Sequence, residues 1–203
     1  MDFDAVVLAG GKSSRLGGVP KAQLGYAGAT LLEHALGAAR GAGRIVVVGP
    51  DPGTLPDGTL TAREEPPFAG PAAAIAAGLL ALGQDAGQFR KPAPWVLVLA
   101  CDMPLAASAV PVLLREVAGH QDTDGAMAVS ADGRQQPLLG IYRVSSLMRA
   151  VEAAAEVAGL ANLAVFRLLA SLDLLAVPVP AGSTDDVDTW DDAAALGVDG
   201  GLP

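Results

Sequence analysis

The chain has 203 residues, enough for one domain with its own core, and 51% are hydrophobic while only 4% are aromatic, so Ala, Val and Leu must build that core. The net charge of −9 excludes a broad basic footprint for nucleic acid or an anionic membrane, but leaves room for a few cations around a small anion. The single cysteine, Cys101, excludes an intramolecular disulfide, and the lack of a signal-like leader or a span-length apolar run points to a cytoplasmic protein.

Phe3 to Ala9 reads as a buried strand. Thr30 opens a helix to about Arg40, because Thr30 and Glu33 have capping-box spacing and Gly41 and Gly43 stop it. Arg44 to Gly49 is a second buried strand, and a Pro-rich loop follows. Pro71 stands where a first-turn proline belongs, ahead of an Ala-rich helix ending near Gly83. Trp95 to Ala100 is a third continuous apolar strand, and a helix covers about Ser108 to Ala118. Ala126 to Ser130 and Gln136 to Tyr142 form a hairpin around Asp132-Gly133. Helices are expected over Ser145 to Val157 and Asn162 to Ala170, a strand near Leu174 to Val179, and a short helix over Asp191 to Leu196. Residues 198 to 203, and Gly197 before them, are expected to fray. This rhythm predicts one α/β domain over residues 1–203, with a mostly parallel, doubly wound sheet and an antiparallel hairpin or edge.

The first strand runs into Leu8-Ala9-Gly10-Gly11-Lys12-Ser13-Ser14-Arg15-Leu16-Gly17-Gly18, with Lys21 beyond. Glycines let backbone N–H groups come close to phosphate oxygens, and Arg15 and Lys21 add charge where a triphosphate would lie. Gly11-Lys12-Ser13 mimics a Walker A ending, but the required earlier glycine is Val6, and the dinucleotide spacing G-x-G-x-x-G is absent. The alternative is an ordinary surface turn.

Asp102 follows the third strand directly, at the carboxyl end where open α/β sheets bind ligands. A carboxylate there can hold Mg2+ beside a triphosphate; the bland alternative is a turn or N-cap aspartate. Cys101 lacks a histidine partner in sequence and reads as a small buried hydrophobe, and the scattered His34 and His120 make no metal site. Glu64 and Glu65 begin a loop that reaches Gly70-Pro71, where a carboxylate could accept hydrogen bonds from a base. Of the late acids, Asp188 is a candidate second Mg2+ ligand, while Thr189 and Asp192 suit a helix cap.

Taken in order, Leu8-Ala9-Gly10-Gly11, Ser14-Arg15-Leu16-Gly17, Lys21, Gly70-Pro71, Cys101-Asp102-Met103-Pro104, Gln136-Pro137-Leu138 and Asp186-Val187-Asp188-Thr189 resemble the motifs of the molybdenum cofactor guanylyltransferase family, the MobA-like NTP transferases. The resemblance implies a Rossmann-like fold akin to the nucleotide-diphospho-sugar transferases. It also implies transfer of GMP from Mg-GTP to the terminal phosphate of molybdopterin. By resemblance Leu8, Ala9, Gly10, Gly11, Gly70 and Pro71 line the nucleotide, Arg15 and Lys21 face its phosphates, Asp102 binds Mg2+, and the family's loop acid maps onto Glu65. Arg15, Lys21 and Asp102 are then the catalytic set.

Two departures bear on base and acceptor more than on reaction type. The family's Gly-Pro-Leu-Ala-Gly reads Gly70-Pro71-Ala72-Ala73-Ala74, and its Asn-x-Asn-Thr reads Asp186-Val187-Asp188-Thr189, a variant also found in relatives using CTP. The Gly10-Gly11 pair favours guanine. The rival readings are a cytidylyltransferase of the same cofactor pathway, a phospholactate guanylyltransferase, a sugar-phosphate nucleotidyltransferase, and a nucleotide-binding module without catalysis. Retention of Arg15, Lys21 and Asp102 together argues against the last. Delivery of the finished cofactor would require transient docking to an apo-enzyme.

Overall fold

The computed structural model describes residues 1–50, 53–85 and 93–200. In chain order the elements are β1 (Phe3–Leu8), β2 (Gly25–Tyr26), β3 (Ala29–Thr30), α1 (Leu31–Ala38), β4 (Ile45–Val48), β5 (Leu60–Ala62), α2 (Pro71–Asp85) and β6 (Trp95–Ala100). There follow α3 (Val110–Gly119), β7 (Gly125–Val129), β8 (Gln135–Arg143), α4 (Val144–Val157), α5 (Val165–Leu168), β9 (Leu174–Pro178), α6 (Trp190–Leu196) and β10 (Val198–Asp199). Seven strands form the main sheet in the order β5-β4-β1-β6-β8-β7-β9. All neighbours are parallel except at β8, which runs antiparallel to both β6 and β7. The expected antiparallel hairpin, β7 with β8, lies inside the sheet, because β9 pairs outside β7.

The continuous apolar strands follow from burial on both faces. Every residue of β1 and β6 is buried. Alternate side chains feed two cores, as the two-residue repeat of a strand requires. Ala5, Val7, Leu97 and Leu99 pack beneath α1 and α3, while Val6, Leu8, Val96 and Val98 pack beneath α2, α4 and α5. This is the doubly wound arrangement expected. A third cluster gathers Leu16, Leu24, Leu31, Val187, Ala193 and Val198 around the small sheet β10-β2-β3.

Three expectations need correction. The tail does not fray from residue 198: Val198 and Asp199 pair with Tyr26 and Gly25, and Gly197 ends α6 in a left-handed turn. The helix expected from Asn162 to Ala170 shrinks to α5, because Asn162 has φ 59° and gives its N–H to Ala69 O at 2.6 Å. The Pro-rich loop contains the edge strand β5. Both capping boxes, Thr30 with Glu33 and Thr189 with Asp192, are formed.

Candidate active site

The site lies at the carboxyl ends of β1, β4 and β6. Cys101 N donates to Leu8 O at 3.0 Å and Ala9 N to Val48 O at 2.8 Å, so the chain leaves three adjacent strands at one level. Gly49 makes this possible: a Cβ there, at φ 156°, would lie 2.8 Å from Gly10 N. The glycine-rich loop then folds into a 3-10 turn whose Leu16 is buried in the third cluster, leaving Arg15 exposed. A second short turn, Lys21–Gln23, buries Ala22 and directs Lys21 back over the sheet edge.

The late acidic segment reaches the same edge through one backbone bond, Val187 N to Asp102 O at 3.1 Å. Val187 is fully buried while Asp186 and Asp188 stay exposed. Strand-like alternation thus presents both acids to Asp102. Lys21 Nζ donates to Asp102 Oδ2 at 2.8 Å and to Asp188 Oδ1 at 2.5 Å, and Arg15 Nη1 stands 3.7 Å from Asp188 Oδ2. One oxygen each from Asp102, Asp186 and Asp188 lie within 4.8 Å of one another, a set of hard oxygen donors that suits a divalent cation.

The electrostatics are those of a cluster with surplus negative charge. Burial opposes the Lys21 charge, but Asp102 and Asp188 outweigh it and hold the ammonium above the ordinary lysine range. Partial enclosure of its carboxyl, and then the facing Asp102 and Asp188 carboxylates, push Asp186 above the ordinary carboxylate range. Burial pushes the Cys101 thiol far up, so it packs as a hydrophobe and supplies no thiolate.

Beside the cluster opens a cleft of about 590 Å³ lined by Leu8, Gly10, Gly11, Gly70, Pro71, Asp102 and Lys21, together with Glu64, Phe68, Leu138 and Asn162. Ala9 borders an adjoining hollow over the loop. Gly70, at φ 95°, and Asn162 pack against each other to form its far wall. Glu65 does not line this cleft and is exposed, whereas its neighbour Glu64 does line it. Glu64 is 6% exposed, its Oε1 accepts from Phe68 N at 2.9 Å, and its Oε2 is buried without a partner. Glu64 is buried and Glu65 exposed, and nothing local in the sequence says which of the two acids turns inward. Asp186 was legible within its motif, but its place beside Asp102 depends on the 187–102 backbone bond. A second hollow of about 810 Å³, bordered by Arg134, Gln136 and Phe166, shares Asp186 and Asp188 with the first.

A glycine-rich loop, two cations and three carboxylates at the carboxyl edge of a mostly parallel sheet define a nucleotidyltransferase. The chain belongs to the MobA-like NTP transferase family, whose domain description matches residues 5–172. It is 34% identical over 168 residues to a probable molybdenum cofactor guanylyltransferase of Chloroflexus aggregans, covering 77% of this chain and 74% of that protein. It is 31% identical over 164 residues to the molybdenum cofactor guanylyltransferase of Bordetella petrii, covering 72% and 74%. Among solved structures, Rv0371c of Mycobacterium tuberculosis H37Rv superposes with TM-score 0.67 at 24% identity over 97% of each chain; that protein is also solved in complex with manganese. The 2-C-methyl-D-erythritol 4-phosphate cytidylyltransferase of Francisella tularensis shares the fold, with TM-score 0.68 at 15% identity over 97% of this chain and 99% of that one. No described helix is long and apolar enough to cross a membrane.

Proposed function

We propose that this chain, acting as one domain, transfers GMP from Mg-GTP to the terminal phosphate of molybdopterin and releases pyrophosphate. The observation that carries the reading is the meeting of Lys21 with Asp102 and Asp188, across 81 and 167 residues of sequence, beside the glycine-rich loop. The names of the curated relatives supply the acceptor. In this reading an ionised oxygen of the acceptor phosphate attacks the α-phosphorus of GTP in line. A new P–O bond forms, the α–β bridging P–O bond breaks, and its electron pair leaves with pyrophosphate. An acceptor that is already ionised needs no strong general base, and among the described residues no histidine lines the site.

Loop N–H groups, Arg15 and Lys21 would take the triphosphate charge, and the hollow beside Asp186, Asp188 and Phe166 would take the acceptor. Mg2+ held by Asp102, Asp186 and Asp188 would neutralise phosphate oxygens and polarise the α-phosphoryl group. The residues fit such an ion: three carboxylates converge, and an ammonium already stands among them. Glu64 in the cleft wall supports guanine, since an ionised carboxylate can only accept hydrogen bonds. Guanine presents N1–H and N2–H donors together, whereas the Watson–Crick edge of cytosine offers one amino donor beside two acceptors. The second reading is CTP-dependent transfer, favoured by the paired Asp186 and Asp188 and by the cytidylyltransferase fold neighbour. Pyrophosphate release with GTP or CTP, with and without molybdopterin, tests both readings. Acceptor-dependent release from GTP is expected; release from CTP alone transfers the assignment to the second reading, and none from either removes both.

A further inference from the structure

The Lys21 side chain borders the hollow over the loop, where a phosphate ligand would be useful. Its ammonium sits inside the carboxylate cluster and bonds Asp102 and Asp188 together. Three carboxylates bring three negative charges there. Arg15 offsets them only weakly, since its contact to Asp188 is 3.7 Å long and its side chain is 73% exposed. Lys21, with 19% of its side chain exposed, is therefore the main internal counter-ion. A divalent cation would draw on the same carboxylates. An ammonium and a dication a few ångströms apart repel, so the two compete for Asp102 and Asp188.

We propose that Lys21 is a displaceable counter-ion. Before loading it holds the cluster together; on loading it yields Asp102 and Asp188 to the divalent cation and carries its charge to the triphosphate. The inference rests on the metal-dependent reading above. Two observations make the exchange feasible. Lys21 also borders the hollows over Gly10, Gly11 and Ser13, of about 270 and 280 Å³, so its four-carbon stem reaches both places without moving the backbone. The ammonium is held by two carboxylates alone, with no third acceptor fixing it among the described residues. The exchange couples the two ligands. A metal ion alone must compete with the ammonium, whereas a nucleotide offers that ammonium phosphate oxygens in exchange, so metal and nucleotide bind together.

The test is Mn2+ titration of the nucleotide-free protein, followed by the paramagnetic resonance of free Mn2+. Lys21→Met should bind Mn2+ alone at least about tenfold tighter than wild type, and bind GTP with Mn2+ about tenfold more weakly. Lys21→Arg, which keeps the charge, should gain no Mn2+ affinity. Lys21→Gln, polar and of similar length, serves if the methionine variant does not fold. Unchanged or weaker Mn2+ binding in the neutral variants overturns the exchange. Tightened Mn2+ binding in a protein that binds no nucleoside triphosphate keeps the exchange and removes the proposed function. Normal transfer with unchanged Mn2+ affinity does the reverse.

Discussion

The two ends of the central sheet each hold an ion pair, and they are built on opposite principles. At the amino end, Arg44 Nη2 meets Asp4 Oδ2 at 2.7 Å with both side chains buried. Arg44 Nη1 also donates to Leu82 O, and Ala93 N donates to Asp4 Oδ2. Among the described residues, Asp4 faces Arg44 and backbone groups bond to both. At the carboxyl end, three acids crowd around Lys21, and Asp188 and Arg15 remain open to solvent. The first pair suits a closed structural join; the second leaves charge unsatisfied until a ligand arrives. Surplus charge at an exposed edge, rather than the mere presence of an ion pair, marks the functional end.

Substitutions at the two ends should separate these roles. The largest effect is expected for Asp102→Ala. Transfer should fall by roughly 10³-fold or more, while thermal unfolding stays close to wild type because a like-charge neighbour has been removed; pyrophosphate release and melting curves read the two. Asp4→Ala should do the opposite. Leaving Arg44 buried without Asp4 costs about 3–5 kcal/mol, seen as a melting point lower by on the order of 10 °C, with the turnover of the folded fraction unchanged. Preserved stability in that variant would make the two ends alike.

Glu64→Gln comes next. Losing a charge-assisted bond to the base should weaken GTP binding by about tenfold to a hundredfold, whereas Glu65→Gln on the exposed neighbour should change it by less than about twofold. Equal effects would undo the choice between the two acids. The smallest effect is a pH dependence at the amino end. Asp124 is held below the ordinary carboxylate range first by Ser146 Oγ, at 2.5 Å, and then by Asp173 N. A depressed carboxylate stabilises the fold above its unfolded pKa and loses that contribution as pH falls through its folded one. Ser146→Ala should therefore cost well under about 1 kcal/mol near neutral pH, given solvent screening. Its deficit should shrink as acid protonates Asp124; denaturant midpoints across the acid range check the sign.

What could be read in advance follows the same division. β1, β4 and β6 were legible because strands buried on both faces need unbroken apolar runs, and the loop and Asp102 were legible because they directly follow such strands. β5 has three residues, and β2, β3 and β10 have two each, too few to carry a periodic signal. α5 was overextended because the left-handed Asn162 reflects a tertiary bond to Ala69. At the site, Asp188 stood out as an acid, but its pairing with Lys21 spans 167 residues. The choice of Glu64 over Glu65 depends on which way one peptide turns, and that is set by packing rather than composition.

Calorimetric titration of the wild type and of Asp102→Ala with GTP and CTP, each with and without Mg2+, tests the central claim most directly. The account predicts GTP binding that requires Mg2+ in the wild type, with CTP weaker and the metal dependence lost in Asp102→Ala. An absence of binding by either nucleotide, or GTP binding indifferent to both Mg2+ and Asp102, would contradict it.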